Sequence, residues 1–139
     1  GDLWERLAVI GGEAVVETVN GLENGYIIAK IQDEKNATPA PKITSEDCII
    51  DWSMSAIEIH NRIRAFTPKP GAYTILNNIR VKLFESRVEY EIDKTINIQP
   101  GFMSQSKTTL NFMTGNGILS VSSIQPQGKK RMAPGQRRD

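Results

Sequence analysis

Ala72-Tyr73-Thr74-Ile75-Leu76-Asn77-Asn78-Ile79-Arg80-Val81-Lys82-Leu83 is the stretch that decides the fold. Ala72–Leu76 reads as a strand. Asn77-Asn78 is a pair that tolerates positive φ, as a two-residue hairpin turn requires. Ile79, Val81 and Leu83 then alternate with Arg80 and Lys82, the pattern of a strand buried on one face and running towards Tyr90. The same pattern returns further on. Pro100-Gly101 is a turn, and Lys107–Thr114 a strand with Leu110 and Phe112 on one face. Gly115-Asn116-Gly117 is a hairpin turn. Ile118–Ile124 is the return strand, with Leu119 and Val121 opposite Ser120 and Ser122. Four or five short strands joined in this way predict a small antiparallel barrel rather than a parallel sheet.

Upstream the period lengthens. Ser55 and Glu58 make a capping box, followed by an apolar stripe of Ala56, Ile59, Ile63 and Phe66, with Pro68 and Pro70 as the stop. Arg62 and Arg64 leave this helix (53–67) in more polar directions. A first helix is expected over 3–22, where Leu3, Leu7, Ile10, Ala14 and Thr18 recur at spacings of three and four. Asp2 is its candidate N-cap, and Gly21 and Gly25 its candidate stops. Gly11 and Gly12 inside it each cost about 1 kcal/mol relative to Ala, which suggests close packing on a neighbour. Between the helices, Tyr26-Ile27-Ile28 reads as a short extended piece, and Gln32 to Ile43, with Pro39 and Pro41, as a linker crossing a surface. The basic tail from Gly128 to Asp139 is expected to be partly disordered. The fold class is α+β, mainly β: a terminal helix (1–25), a linker (26–47) and a small barrel domain (48–139).

The 139 residues include 39% hydrophobic and 24% charged residues, within the range of an ordinary globular chain. No apolar run approaches the roughly 18 residues that span a bilayer, and Asp2 and Glu5 are unlike the start of a signal peptide. The single cysteine, Cys48, fits a reducing cytosol, so a cytoplasmic location without membrane partners is expected. Charge is divided unevenly. Residues 1–67 hold six Lys/Arg and eleven Asp/Glu, a net −5; residues 68–139 hold eleven and five, a net +6. That asymmetry suggests a basic face for an anionic partner, against the plainer reading of a solubilising surface.

Catalytic and metal signals are poor. His60 is the only histidine; it reads as a packing or hydrogen-bonding residue at a helix–barrel junction more readily than as a general base. Cys48 and His60 supply too few soft ligands for zinc. Asp33-Glu34 and Glu46-Asp47 fall in the linker and read as solvated charges. Nucleic-acid binding has more support, since a small antiparallel barrel is a common oligonucleotide platform. Arg80 and Lys82 on the outward face of a strand, Arg62 and Arg64 on the helix, and Lys129, Lys130 and Arg131 after the last strand would contact phosphates and position a ligand without reading bases.

These blocks also carry a family resemblance. Gln32-Asp33-Glu34, Ala37-Thr38 and Ala40-Pro41-Lys42-Ile43 resemble the linker of methionyl-tRNA formyltransferases. Ile50-Asp51-Trp52, Ser55-Ala56 and Glu58 to Phe66 are similar to the family's I-D-W…S-A-x-E-I-H-N-x-I-R-A-F block. Pro68, Pro70 to Thr74, Pro100-Gly101, Thr114-Gly115-x-Gly117 and Gln125-Pro126-x-Gly128-Lys129-Lys130-Arg131-Met132 match later blocks in order. Helix 3–22 is similar to the last helix of the family's catalytic domain. Lys69 departs from the family's frequent Trp, Asn116 from its usual Asp, and the tail stops without the long closing helix of some members.

The resemblance implies a C-terminal OB-like barrel that helps hold initiator tRNA, preceded by a helix left over from a Rossmann-like domain. The full-length enzyme would bind 10-formyltetrahydrofolate and transfer its formyl group to methionyl-tRNA in translation initiation. The family's catalytic Asn, His and Asp lie in motifs absent here, so this chain is expected to hold no catalytic residue, metal or cofactor. The resemblance also marks Lys42, Lys129, Lys130 and Arg131 as tRNA contacts. Two alternatives stand beside it. One is a related formyltransferase acting on a nucleotide-linked amino sugar, against which the A-P-K-I and G-K-K-R-M blocks argue. The other is a non-catalytic interaction module that self-associates through the apolar face of helix 3–22.

Overall fold

The computed structural model describes residues 2–89 and 99–135. The chain forms two compact units, Gly1–Lys42 and Ile43–Asp139.

The first unit is built on one helix, α1 (Asp2–Glu23). Gly25, at φ 74°, ends it in the left-handed region. The chain then turns back, and the amides of Tyr26 and Ile27 both donate to Gly21 O. Gly21 is therefore a packing position and not the stop. A Cβ built on it would lie 2.4 Å from the Ile27 side chain. Among the described residues, a Cβ on Gly11 or Gly12 meets nothing within 4 Å. Tyr26–Ile28 forms no strand. In the linker, Glu34–Asn36 is a single 3₁₀ turn. Asp33 caps it by accepting from the Lys35 amide at 3.0 Å and the Asn36 side chain at 2.9 Å.

The second unit is a curled five-stranded antiparallel half-barrel, in keeping with the small barrel expected from the strand pattern and with the OB-like fold that the resemblance implies. Its strands are β1 (Tyr73–Leu76), β2 (Ile79–Glu89), β3 (Met103–Gln105), β4 (Leu110–Met113) and β5 (Ile118–Pro126), in the order β1-β2-β5-β4-β3. Asn77 and Asn78 both take positive φ, 48° and 61°, and close the β1–β2 hairpin. Helix α2 (Ala56–Phe66) begins at the expected capping box, with both reciprocal bonds between Ser55 and Glu58 present. Its Ala56, Ile59 and Ile63 pack on Val81 and Leu83 of β2, Leu110 and Phe112 of β4, and Leu119 and Val121 of β5. Trp52 extends this core, stacked on Phe112 with ring centroids 4.2 Å apart.

Alternation along β2 and β5 is broken once, at the same rung. Val81 and Leu83 face the core, and so do Ser86 and Val88. On β5 the core set is Leu119 and Val121, then Ile124. The change falls at Glu85, whose φ of 48° rotates the strand, and at Ser122, whose hydroxyl donates to Glu85 O at 3.0 Å. A simple period-two reading of Ile79–Tyr90 therefore fails beyond Leu83; Tyr90 itself lies outside the described residues.

The tail is not disordered over residues 128–135. Ile124 and Met132 exchange amide hydrogen bonds at 2.9 and 2.8 Å, so the tail runs beside the end of β5, and Pro134 is fully buried. Residues 136–139 lie outside the described part.

Candidate nucleic-acid interface

Because Val81 and Leu83 point into the core, Arg80, Lys82 and Phe84 lie on the opposite face of β2. Register places Tyr73 and Gln125 on either side of Lys82, and Ser123 beside Phe84. The Arg80 guanidinium lies 4.1 Å from the centroid of the Tyr73 ring, with its Nη2 3.4 Å from the Tyr73 hydroxyl. Such a stack orients the group while leaving its outer edge free to donate. Lys82 runs its stem across Gly71, where a Cβ would come within 2.9 Å of Lys82 Cδ. The head of Lys82 is thereby aimed by the absence of a side chain on the neighbouring loop.

Beyond β5 the chain turns sharply at Pro126-Gln127-Gly128-Lys129. Gly128 has φ 74°, the Lys129 amide donates to Pro126 O at 3.0 Å, and Gln125 Nε2 donates to Lys129 O at 3.0 Å. The Gln127 amide donates to Arg80 O at 2.8 Å, which ties the turn to β2. Arg80, Lys82, Gln125, Pro126, Gln127 and Gly128 together line an open pocket of about 280 Å³. Lys129 and Lys130 follow Gly128 in the chain and are exposed. Sequence reasoning finds the cations here but misses Tyr73, Gln125 and Gln127. The signal for Tyr73 and Gln125 is the register between strands, which the sequence of any one strand does not carry, and Gln127 is placed by the turn that bonds to Arg80.

The other basic positions are placed differently. Arg131 turns onto the sheet, 4.3 Å over the Phe84 ring, with Nε donating to Ser123 Oγ at 2.7 Å and Nη2 paired with Glu85 at 2.6 Å. Arg62 is half-buried, donates to the Asp47 carbonyl and lies 5.5 Å from the Phe66 ring centroid. Arg64 is exposed on α2. Neither Arg62 nor Arg64 lines the pocket. Lys42 is exposed and belongs to the first unit.

Acidic groups temper the field. Glu46 is held below the usual carboxylate range, mainly by a hydrogen bond to its own backbone amide and then by Thr44, with a smaller contribution from the Arg80 charge. Asp47 is lowered chiefly by the Thr44 backbone and hydroxyl, and Asp51 by Ser53. His60 Nδ1 sits 2.8 Å from Ser86 Oγ, joining α2 to β2. Burial, then the Arg64 charge, lower its pKa, so the neutral ring is favoured. It is a hydrogen-bonding residue at the helix–barrel junction. Among the described residues no group of three or more His, Cys, Asp or Glu could hold a metal ion.

Comparisons with known proteins agree with this architecture. HypX from Aquifex aeolicus superposes with a TM-score of 0.66 at 20% identity, over 87% of this chain and 21% of that one. A second HypX structure, in complex with tetrahydrofolic acid, gives 0.63 at 21% identity over the same shares. At this identity the likeness is one of fold. The methionyl-tRNA formyltransferase of Desulfotalea psychrophila is 41% identical over 133 residues, 95% of this chain and 40% of that protein. That of Corynebacterium glutamicum (strain R) is 42% identical over 131 residues, 94% of this chain and 41% of that protein. The chain thus spans about two-fifths of the length of these relatives. The family model described as the formyl transferase C-terminal domain matches residues 42–136, and the chain belongs to that family.

Proposed function

We propose that this chain is the tRNA-side part of a methionyl-tRNA formyltransferase. The complete enzyme would take a formyl group from 10-formyltetrahydrofolate and place it on the amino group of methionine carried by initiator tRNA, in the cytoplasm. The observation that carries the reading is the match to methionyl-tRNA formyltransferases along 95% of the chain. The names of these relatives favour it over an amino-sugar enzyme. In this reading residues 1–25 are the last helix of the folate-binding domain, 26–47 the linker and 48–139 the tRNA-binding domain. The pocket at Arg80, Lys82 and the Lys129-Lys130 turn is the centre of a phosphate track. Lys42, Arg62 and Arg64 are outlying contacts. Guanidinium and ammonium groups on a fixed sheet position a backbone without selecting bases.

Two experiments test this. The isolated chain is expected to bind initiator tRNA weakly, with log K falling linearly against log salt. Neutralising Arg80 and Lys82 as R80Q/K82Q is expected to reduce that slope by roughly 0.7–0.9 for each phosphate that is no longer neutralised. Salt-independent binding, or none at low salt, would sink the phosphate track. A formyl-transfer assay with 10-formyltetrahydrofolate and charged initiator tRNA is expected to give no turnover by this chain alone. Clear turnover would overturn the assignment of the chemistry to the rest of a longer enzyme.

A further inference from the structure

We propose that Arg131 is a positioning residue, whose clasp on Phe84, Glu85 and Ser123 holds the Lys129-Lys130 turn beside Arg80 and Lys82, so that the four cations form one anion-binding track. This rests on the tRNA reading above.

The geometry argues for a clasp and against a free phosphate contact. A guanidinium offers a planar fork and two faces. Here one face lies 4.3 Å from the Phe84 centroid, Nε is given to Ser123 at 2.7 Å and Nη2 to Glu85 at 2.6 Å. Ser123 pairs with Phe84 across the ladder, so two strands present this receptor as one rigid surface. The turn is therefore fixed at both ends. On its near side Lys129 is bonded to Pro126 and Gln125. On its far side Arg131 is clasped and Met132 exchanges both amide bonds with Ile124. Lys129 and Lys130 lie between these anchors.

Glu85 supplies the second observation. It takes φ 48° within a strand, a conformation that favours glycine and costs other residues about 1–2 kcal/mol. Glycine would adopt it freely, yet would leave Arg131 without a carboxylate. The twist that moves the core-facing positions by one residue is the same feature that sets Glu85 beside Arg131.

The clasp and the contact readings predict opposite signs for one substitution. Removing the negative charge of Glu85 beside a basic track should tighten anion binding if Arg131 is a phosphate contact, because Coulomb repulsion is removed and a cation is freed. If Arg131 is a clasp, the same change loosens the turn and weakens binding although the protein has become more positive. The ion pair is exposed, with side chains 41% and 63% accessible, so the expected effect is small, about threefold.

The test compares the full chain with Glu85→Gln and Arg131→Lys, using deacylated initiator tRNA at fixed low salt. Tryptic cleavage after Lys129 and Lys130, resolved by mass spectrometry, is followed in the absence of tRNA. The clasp predicts roughly threefold weaker binding for both variants, with faster cleavage at those two bonds and an unchanged thermal midpoint of the barrel. Equal or tighter binding by Glu85→Gln, or full retention of affinity by Arg131→Lys, overturns it. If the parent chain does not bind tRNA, the tRNA reading fails separately. The cleavage rates then decide the clasp by themselves, and unchanged cleavage in both variants overturns it.

Discussion

Gly115 makes the sharpest claim on a single residue. A Cβ there would lie 1.8 Å from Ser53 O and 2.7 Å from the Ser53 carbonyl carbon, while the Gly115 amide is shared between Trp52 O and Met54 O at 2.9 Å each. Backbone cannot yield as a flexible side chain does. Gly115→Ala is therefore expected to destabilise by roughly 3 kcal/mol, read as a lower urea midpoint at unchanged m. Gly128→Ala is the control: φ is 74° but nothing lies within 4 Å, so only the left-handed penalty of about 1 kcal/mol applies. From sequence Gly115 is legible as a turn glycine. Its closeness to the Trp52–Ser55 loop is not, because that approach joins segments some sixty positions apart. His60 yields a pH prediction. Its pKa is lowered by burial and by Arg64, so below the ordinary histidine value the unfolded chain binds the proton more readily than the folded one. Stability must then rise with pH through that window and be lost as pH falls through it. The urea midpoint is expected to be lower at pH 5.5 than at pH 7.5, and His60→Gln to narrow the gap. An unchanged gap would remove His60 as its source.

Elements are legible where their cause is local. The Ser55–Glu58 capping box is a four-residue signal, and the structure makes both of its bonds, with Ser55 N donating to Glu58 at 2.9 Å. Ser55→Ala is expected to cost about 1 kcal/mol, seen as a lower thermal midpoint. Ser55 also holds Glu58 below the usual carboxylate range. The carboxylate's contribution is thus complete above the ordinary glutamate value and lost as pH falls through the lower folded one, well below the window of His60. The β1–β2 turn is legible for the same local reason, because Asn tolerates the positive φ that both of its residues adopt. Elements made by pairing alone are not legible. β3 is three residues long and exists through its register with β4; three residues show no period. The tail reads as solvated because Lys129, Lys130 and Arg131 are charged, yet Met132 and Pro134 on either side of Ala133 hold it to the barrel. The face change at Glu85 has no residue-type signal, since glutamate is a poor choice for positive φ.

For the whole molecule the open question is the apolar face of α1. Leu3, Leu7 and Ile10 recur at helical spacing and keep 68%, 57% and 55% of their surfaces exposed. The chain spans only about two-fifths of its relatives' length, and in the longer enzyme we propose that the remainder of the folate-binding domain covers this face. In the isolated chain a second copy can cover it instead. Covering Leu3, Leu7 and Ile10 on both copies contributes about 1.4 kcal/mol for each side chain, against an association cost of at least about 4 kcal/mol. Only a few kcal/mol remain, which corresponds to a dimer of roughly millimolar strength. Sedimentation equilibrium is therefore expected to show monomer at about 10 µM and growing dimer towards 1 mM, the range set by that balance. Leu7→Glu should abolish the dimer by placing a charge in the apolar stripe. The substitution lies outside the Ile43–Asp139 unit, so tRNA affinity at about 10 µM and the thermal midpoint of the barrel should not change. Dimerisation that survives Leu7→Glu would move the interface away from this helix, and the reason for its apolar face would have to be sought elsewhere.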